Sequence, residues 1–104
     1  MPDIVIAAYR PKPGKAAELR ALVSQHVPYL RGLGLATDRP ETMMQAKDGT
    51  VIEVFEWRDG GITAAHEDPR LHDLWARFGA VCDYVPLASL AEAQGLFAGF
   101  TPLA

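Results

Sequence analysis

The chain has 104 residues, 49% of them hydrophobic and 22% charged, with a formal net charge of -3. That length and balance fit one globular domain, 1–104, able to bury roughly two thirds of its unfolded surface without staples. Disorder is excluded on composition, and the acidic balance with scattered basic residues speaks against a nucleic-acid partner.

No apolar run approaches the length of a membrane span, and the first residues lack the basic and apolar regions of a secretory signal. Cys82 is the single cysteine, so no intrachain disulfide or zinc box can form. The expectation is a cytoplasmic protein with no membrane partner.

Residues 3–9, DIVIAAY, read as a strand, because an apolar run opens with β-branched residues. RPKPG then breaks it, since proline restricts the backbone and removes amide donors. From Lys15 the period becomes helical. Leu19, Leu22, Val23, His26, Val27, Leu30 and Leu33 form one stripe, with His26 on or beside it. Pro28 predicts a kink, or one helix ending and a second beginning. Gly32 and Gly34 supply a stop.

Strands follow at 41–47 and 50–57, joined by Asp48-Gly49. That dipeptide predicts a type I′ hairpin turn, with positive φ at both residues. In the second strand Val51, Glu53, Phe55 and Trp57 share one face, and Ile52, Val54, Glu56 and Arg58 share the other. Neither face is purely polar, so both need cover.

ITAAHED predicts a short helix after Gly60-Gly61. Asp68-Pro69 reads as the cap and first residue of another, carrying Leu71, Leu74, Trp75, Phe78 and Cys82 at helical spacing. The tail from Tyr84 predicts an extended stretch, a helical turn near Ser89–Ala93 and a last strand around 97–101. The order βαββααβ predicts an α+β fold: a ferredoxin-like antiparallel four-stranded sheet with helices on one face. The other face would expose a large apolar patch, which a symmetric homodimer would cover.

The stretch VIEVFEWRDGGITAAHEDPRLHDLWARF, residues 51–78, resembles the central signature of the antibiotic biosynthesis monooxygenase family, small dimeric α+β barrels. The resemblance rests on Glu56-Trp57, Ala65-His66, Asp68-Pro69 and the aromatic-rich helix from Leu74 to Phe78, with the element order. It implies a homodimer and a cofactor-independent monooxygenase acting on a small electron-rich aromatic of the quinol or anthrone type. The family also includes haem-degrading enzymes, which use an Asn, Trp and His constellation. The chain has no Asn, so that branch is disfavoured.

Two residues are candidates for taking a proton. His66 aligns with the family histidine and titrates near neutral pH if unperturbed. Its structural alternative is a helix-terminal His bonded to a carbonyl. Glu53, centred in an apolar strand, would have its pKa raised by desolvation and serve as a base. The structural alternative for Glu53 and Glu56, which alternate along that strand, is that one pairs with a nearby arginine and the other lies at the open edge. Trp75 and Phe78, with Leu71, Phe55 and Trp57, are candidate walls for a small apolar or aromatic ligand. Tyr9 and Tyr84 can place hydroxyls nearby, while His72 is expected to face solvent and Cys82 to be an inert buried thiol. No dinucleotide fingerprint, phosphate loop or metal-ligand spacing is present, so no cofactor or metal is expected. The rival class is a non-catalytic barrel that binds a small apolar metabolite or serves as an assembly module.

Overall fold

A computed structural model describes residues 2–103. Strand β1 spans Ile4–Pro11, helix α1 Ala16–Gly32, β2 Thr42–Gln45 and β3 Val51–Glu56. Short helix α2 spans Gly61–His66, α3 Pro69–Val81, β4 Cys82–Val85 and β5 Thr101–Pro102. Between β4 and β5 lie two 3-10 turns, Leu87–Ser89 and Ala91–Gln94.

The sheet is antiparallel in the order β4-β1-β3-β2-β5. Its first four strands are compatible with a ferredoxin-like arrangement, in which β3 and β1 are central. The expected four-stranded sheet is corrected to five strands. The fourth strand begins at Cys82, expected inside α3, because the chain turns into the sheet with no intervening loop. The final strand is Thr101–Pro102 rather than 97–101, and it pairs with the edge of β2 at Met44↔Pro102 and Gln45↔Thr101.

Helix α1 is unbroken through Pro28, so of the two expected outcomes, a kink or a division, the division does not occur. Pro28 lies on the exposed face, where the carbonyl it leaves unpaired can reach water. Val27 and Leu30, both buried, hold the adjacent turns. The helix ends as a Schellman motif: Gly34 has φ of 76°, Leu35 N–H donates to Leu30 O and Gly34 N–H to Arg31 O.

The hairpin forms, with Thr42↔Val54 and Gln45↔Val51 in register. Its turn differs from the type I′ expectation, because only Gly49 has positive φ, at 92°. Gly49 N–H donates to Ala46 O and Ala46 N–H to Thr50 O, giving a three-residue loop with Gly49 as the left-handed residue. Asp48 instead keeps a negative φ and accepts from Thr50 N–H at 2.8 Å. At α3 the expected cap is present: Asp68 accepts from Arg70 N–H, and Pro69 opens the helix.

Helices α1 and α3 cover one face of the sheet. Leu19, Val23, Tyr9, Val51, Leu74 and Phe78 pack at one end, and Val27, Leu30, Phe55, Trp57 and Leu71 at the other. The opposite face carries Ala8, Ala46 and Ile52, and these are covered by Leu90 from the tail turns. Ile4 and Ile6, further along that face, are 54% and 51% exposed. Among the described residues, no helix is long and apolar enough to cross a membrane.

Candidate functional site

The site begins with strand register. Ala7, Glu53 and Met43 lie side by side across β1, β3 and β2, which centres Glu53 on the helix-covered face. Tyr9 sits one diagonal step away, within reach of a long aromatic side chain. From above, the apolar stripe of α1 carries His26 down onto the same spot. The three groups meet at one atom. Glu53 Oε1 accepts from the Tyr9 hydroxyl at 2.9 Å and lies 2.8 Å from His26 Nδ1.

Burial makes this network unusual. Glu53 is 1% exposed and His26 5%. Placing a carboxyl group there costs several kcal/mol unless its lone pairs are satisfied, and the two donors do that. Burial, followed by the neighbouring Glu53, pushes the Tyr9 phenol far above its ordinary range, so it remains a donor. With Glu53 ionised, Nδ1 must carry a proton, and in the neutral ring Nε2 is then a lone-pair acceptor. Nε2 is fully buried and has no protein partner among the described residues.

The His26 ring borders a cavity of about 290 Å³ lined with Tyr9, His66, Trp75, Phe78 and Tyr84. Its walls are almost wholly aromatic. His26 meets Phe78 edge-on with ring centroids 5.2 Å apart, and Tyr9 lies 5.2 Å from Phe78. At the exposed rim, His66 and Trp75 contact at 5.1 Å. His66 Nδ1 lies 2.7 Å from Ile62 O, and because a carbonyl can only accept, Nδ1 is the donor. This is the structural alternative foreseen for His66, although the ring also lines the cavity. His72 is exposed, as expected, and its Nε2 donates to His66 O at 2.6 Å.

The structure therefore brings His66, Trp75 and Phe78 to one cavity, with Glu53 one hydrogen bond behind its wall. Leu71, Phe55 and Trp57 do not line it. They are packed with Val27, Leu30 and Ala65, because α2 and the 35–36 segment close over that end of the sheet. Gly61 permits this approach, since a Cβ there would collide with Leu35 O. Glu53 is paired with a histidine and a tyrosine in the buried core rather than lying at an open edge, while Glu56 is the carboxylate that pairs with an arginine, Arg39 at 3.3 Å. Burial raises the Cys82 thiol to about 11, which keeps it protonated and inert at neutral pH.

Sequence reasoning passed over His26 as part of a stripe and left the direction of Tyr9 undecided. The available signal was a histidine at a buried helical position facing a strand with a buried glutamate. No family profile matches the chain, and no curated protein or solved structure shows significant similarity to it.

Proposed function

We propose that the cavity binds a small, flat, largely apolar molecule and that His26 takes an acidic proton from it. One observation carries this reading: the ring of His26 borders an aromatic cavity, its Nε2 is buried without a protein partner among the described residues, and a buried carboxyl group holds the other nitrogen. A carboxylate that fixes the tautomer and stabilises the imidazolium is a recurrent way to prepare a histidine base. The Tyr9 phenol, pushed upward by burial beside the same cavity, points the same way. Phe78 and Trp75 would hold an aromatic ring and exclude water.

The reaction class follows from the resemblance to the antibiotic biosynthesis monooxygenases. Deprotonation of an anthrone-type carbon gives an anion able to donate an electron to O2 without a bound cofactor. One oxygen ends in the new carbonyl, and the other leaves as water with the two hydrogens of that carbon. His26 becomes the base in place of His66, and Glu53 becomes the group that positions it. In the same reading the open half of the opposite sheet face, around Ile4 and Ile6, packs against a second copy as a homodimeric barrel.

The test is O2 consumption across a quinol and anthrone panel, alongside quenching of Trp75 fluorescence by the same compounds. Wild-type turnover should fall about two to four orders of magnitude in His26→Ala, the usual loss of a general base. His66→Ala should retain most of it. Quenching without any wild-type turnover would leave a binding module as the function. Neither quenching nor turnover would remove the pocket reading altogether.

A further inference from the structure

The Tyr9–Glu53–His26 network also borders a second opening. Glu53 is not in the wall of the aromatic cavity, which reaches it only through Tyr9 and His26. It lines a separate cleft of about 240 Å³ with Val23 and Ser24 of α1, Glu41, Met43 of β2 and Leu103. Register accounts for this. Tyr9 stands on the β1 side of β3, and Met43 stands on the β2 side. The carboxyl group thus separates two openings on opposite flanks of one strand.

The openings differ in chemistry. The first is aromatic, whereas the second carries the exposed Ser24 hydroxyl and the Glu41 carboxylate, which Arg31 holds at 3.1 Å. Leu103 crosses this cleft because its N–H donates to Met43 O at 2.8 Å, extending the β2–β5 pairing by one residue.

We infer that the Glu53 cleft is a proton port, through which the buried His26 exchanges protons with solvent while a ligand fills the aromatic cavity. This rests on the reading of His26 as a base. A bound aromatic molecule covers the edge of the His26 ring that borders the cavity and shuts water out of that side. When Nε2 accepts a proton, Nδ1–H passes to Glu53 Oε1. The carboxyl group turns and releases a proton to water in the cleft beside Glu41. When Nε2 later protonates the leaving hydroxide, a proton returns to Nδ1 by the same route. One proton crosses in each direction, and the network regains its starting state. Glu53 is a positioning and relay residue here, since the ligand touches His26 and not Glu53.

The experiment follows exchange of the His26 Nδ1 proton with water by ¹⁵N-resolved NMR, with and without saturating 1-naphthol. Nδ1 faces Glu53 rather than the aromatic cavity, so the cleft is its route to solvent in the free protein as well. Ser24→Phe, at an exposed helical position, places a ring over the cleft and should slow exchange about tenfold or more. Leu103→Ala opens the cleft and should speed exchange by a similar factor, about tenfold. Naphthol should leave the wild-type rate almost unchanged. A rate indifferent to both substitutions, or one that naphthol alone abolishes, overturns the port. If naphthol fails to quench Trp75, the pocket reading fails separately, and the two substitutions still decide the port in the free protein.

Discussion

The two faces of the sheet carry comparable apolar side chains, yet they are closed in different ways. On one, α1 and α3 bury two apolar clusters together with a polar network of three side chains. On the other, two 3-10 turns lay Leu90 over Ala8, Ala46 and Ile52, and leave Ile4 and Ile6 half exposed. Long helices exclude water well enough to keep a carboxyl group and an imidazole in a fixed relation. Two single turns do not. The difference leaves the buried polar groups on the helix face and the exposed apolar side chains on the other. It also revises the argument for a dimer, since part of the two-sided apolar character is satisfied within one chain.

The sharpest way to break this contrast is to remove the polar centre of the helix face. Glu53→Ala leaves the His26 Nδ1–H and the Tyr9 hydroxyl buried without an acceptor. Breaking a buried, hydrogen-bonded charged pair in this way costs about 3–5 kcal/mol. The urea midpoint should therefore fall steeply, and Glu53→Gln, whose amide oxygen can still accept, should recover part of the loss. A shift for Glu53→Ala no larger than that of an ordinary surface substitution would mean that the network is not a structural unit.

On the other face the corresponding centre is Leu90, which is 1% exposed. Leu90→Ala should cost about 2–5 kcal/mol, toward the low end if the short turns collapse into the space. An unchanged melting temperature would show that the tail is not a cover in solution, and that Ala8 and Ile52 need another partner.

The open half of that face gives a smaller effect on folding and a distinct one on association. Ile6 is already half in water, so Ile6→Glu should change monomer stability by no more than about 0.5 kcal/mol. If copies pack through this face, light scattering should give about twice the chain mass for the wild type and the chain mass for Ile6→Glu. A dimer that survives the substitution uses a different surface. Leu96 and Phe97, which are 92% and 91% exposed, are then the next apolar side chains to replace.

These contrasts follow the range over which each feature is determined. The stripe of α1, the paired hairpin strands and the Asp68-Pro69 helix start depend on neighbours a few residues away, and periodicity reveals them. The turn class depends on whether Ala46 N–H reaches Thr50 O while Ala46 O accepts from Gly49 N–H, a detail that the Asp-Gly pair alone does not contain. Strand β4 has four residues and no breaker between it and α3, so the helical spacing continues through Cys82. Of the site, Glu53, His66, Trp75 and Phe78 stand out as polar or aromatic residues in one stretch. The partners of Glu53 are 27 and 44 residues away in the chain, and only the fold brings them together. Leu71, Phe55 and Trp57 look the same in sequence as Phe78, and packing under α2 makes them core.

The smallest expected effect lies at the turn where both faces begin. The tail is fastened there by Lys47 N–H donating to Glu92 Oε2 at 2.8 Å, one residue from Asp48. Hydrogen bonding from Thr50 is the main cause holding the Asp48 carboxyl below its ordinary range, with Arg10 at 3.6 Å adding to it. A depressed folded-state pKa stabilises the fold above the ordinary aspartate range. That contribution is lost as the pH falls through the ordinary value toward the lowered one. Because the side chain is half exposed, solvent screens it, and the contribution at neutral pH should stay below about 1 kcal/mol. The melting temperature of Asp48→Ala should therefore lie slightly below that of the wild type at pH 7, and the gap should narrow on acidification. Gly49 keeps its left-handed conformation in the variant, so the hairpin itself should persist. A gap that stays constant with pH would trace the loss to the turn propensity of the residue rather than to its charge. The tail would then be fastened to the hairpin through Glu92 without help from Asp48.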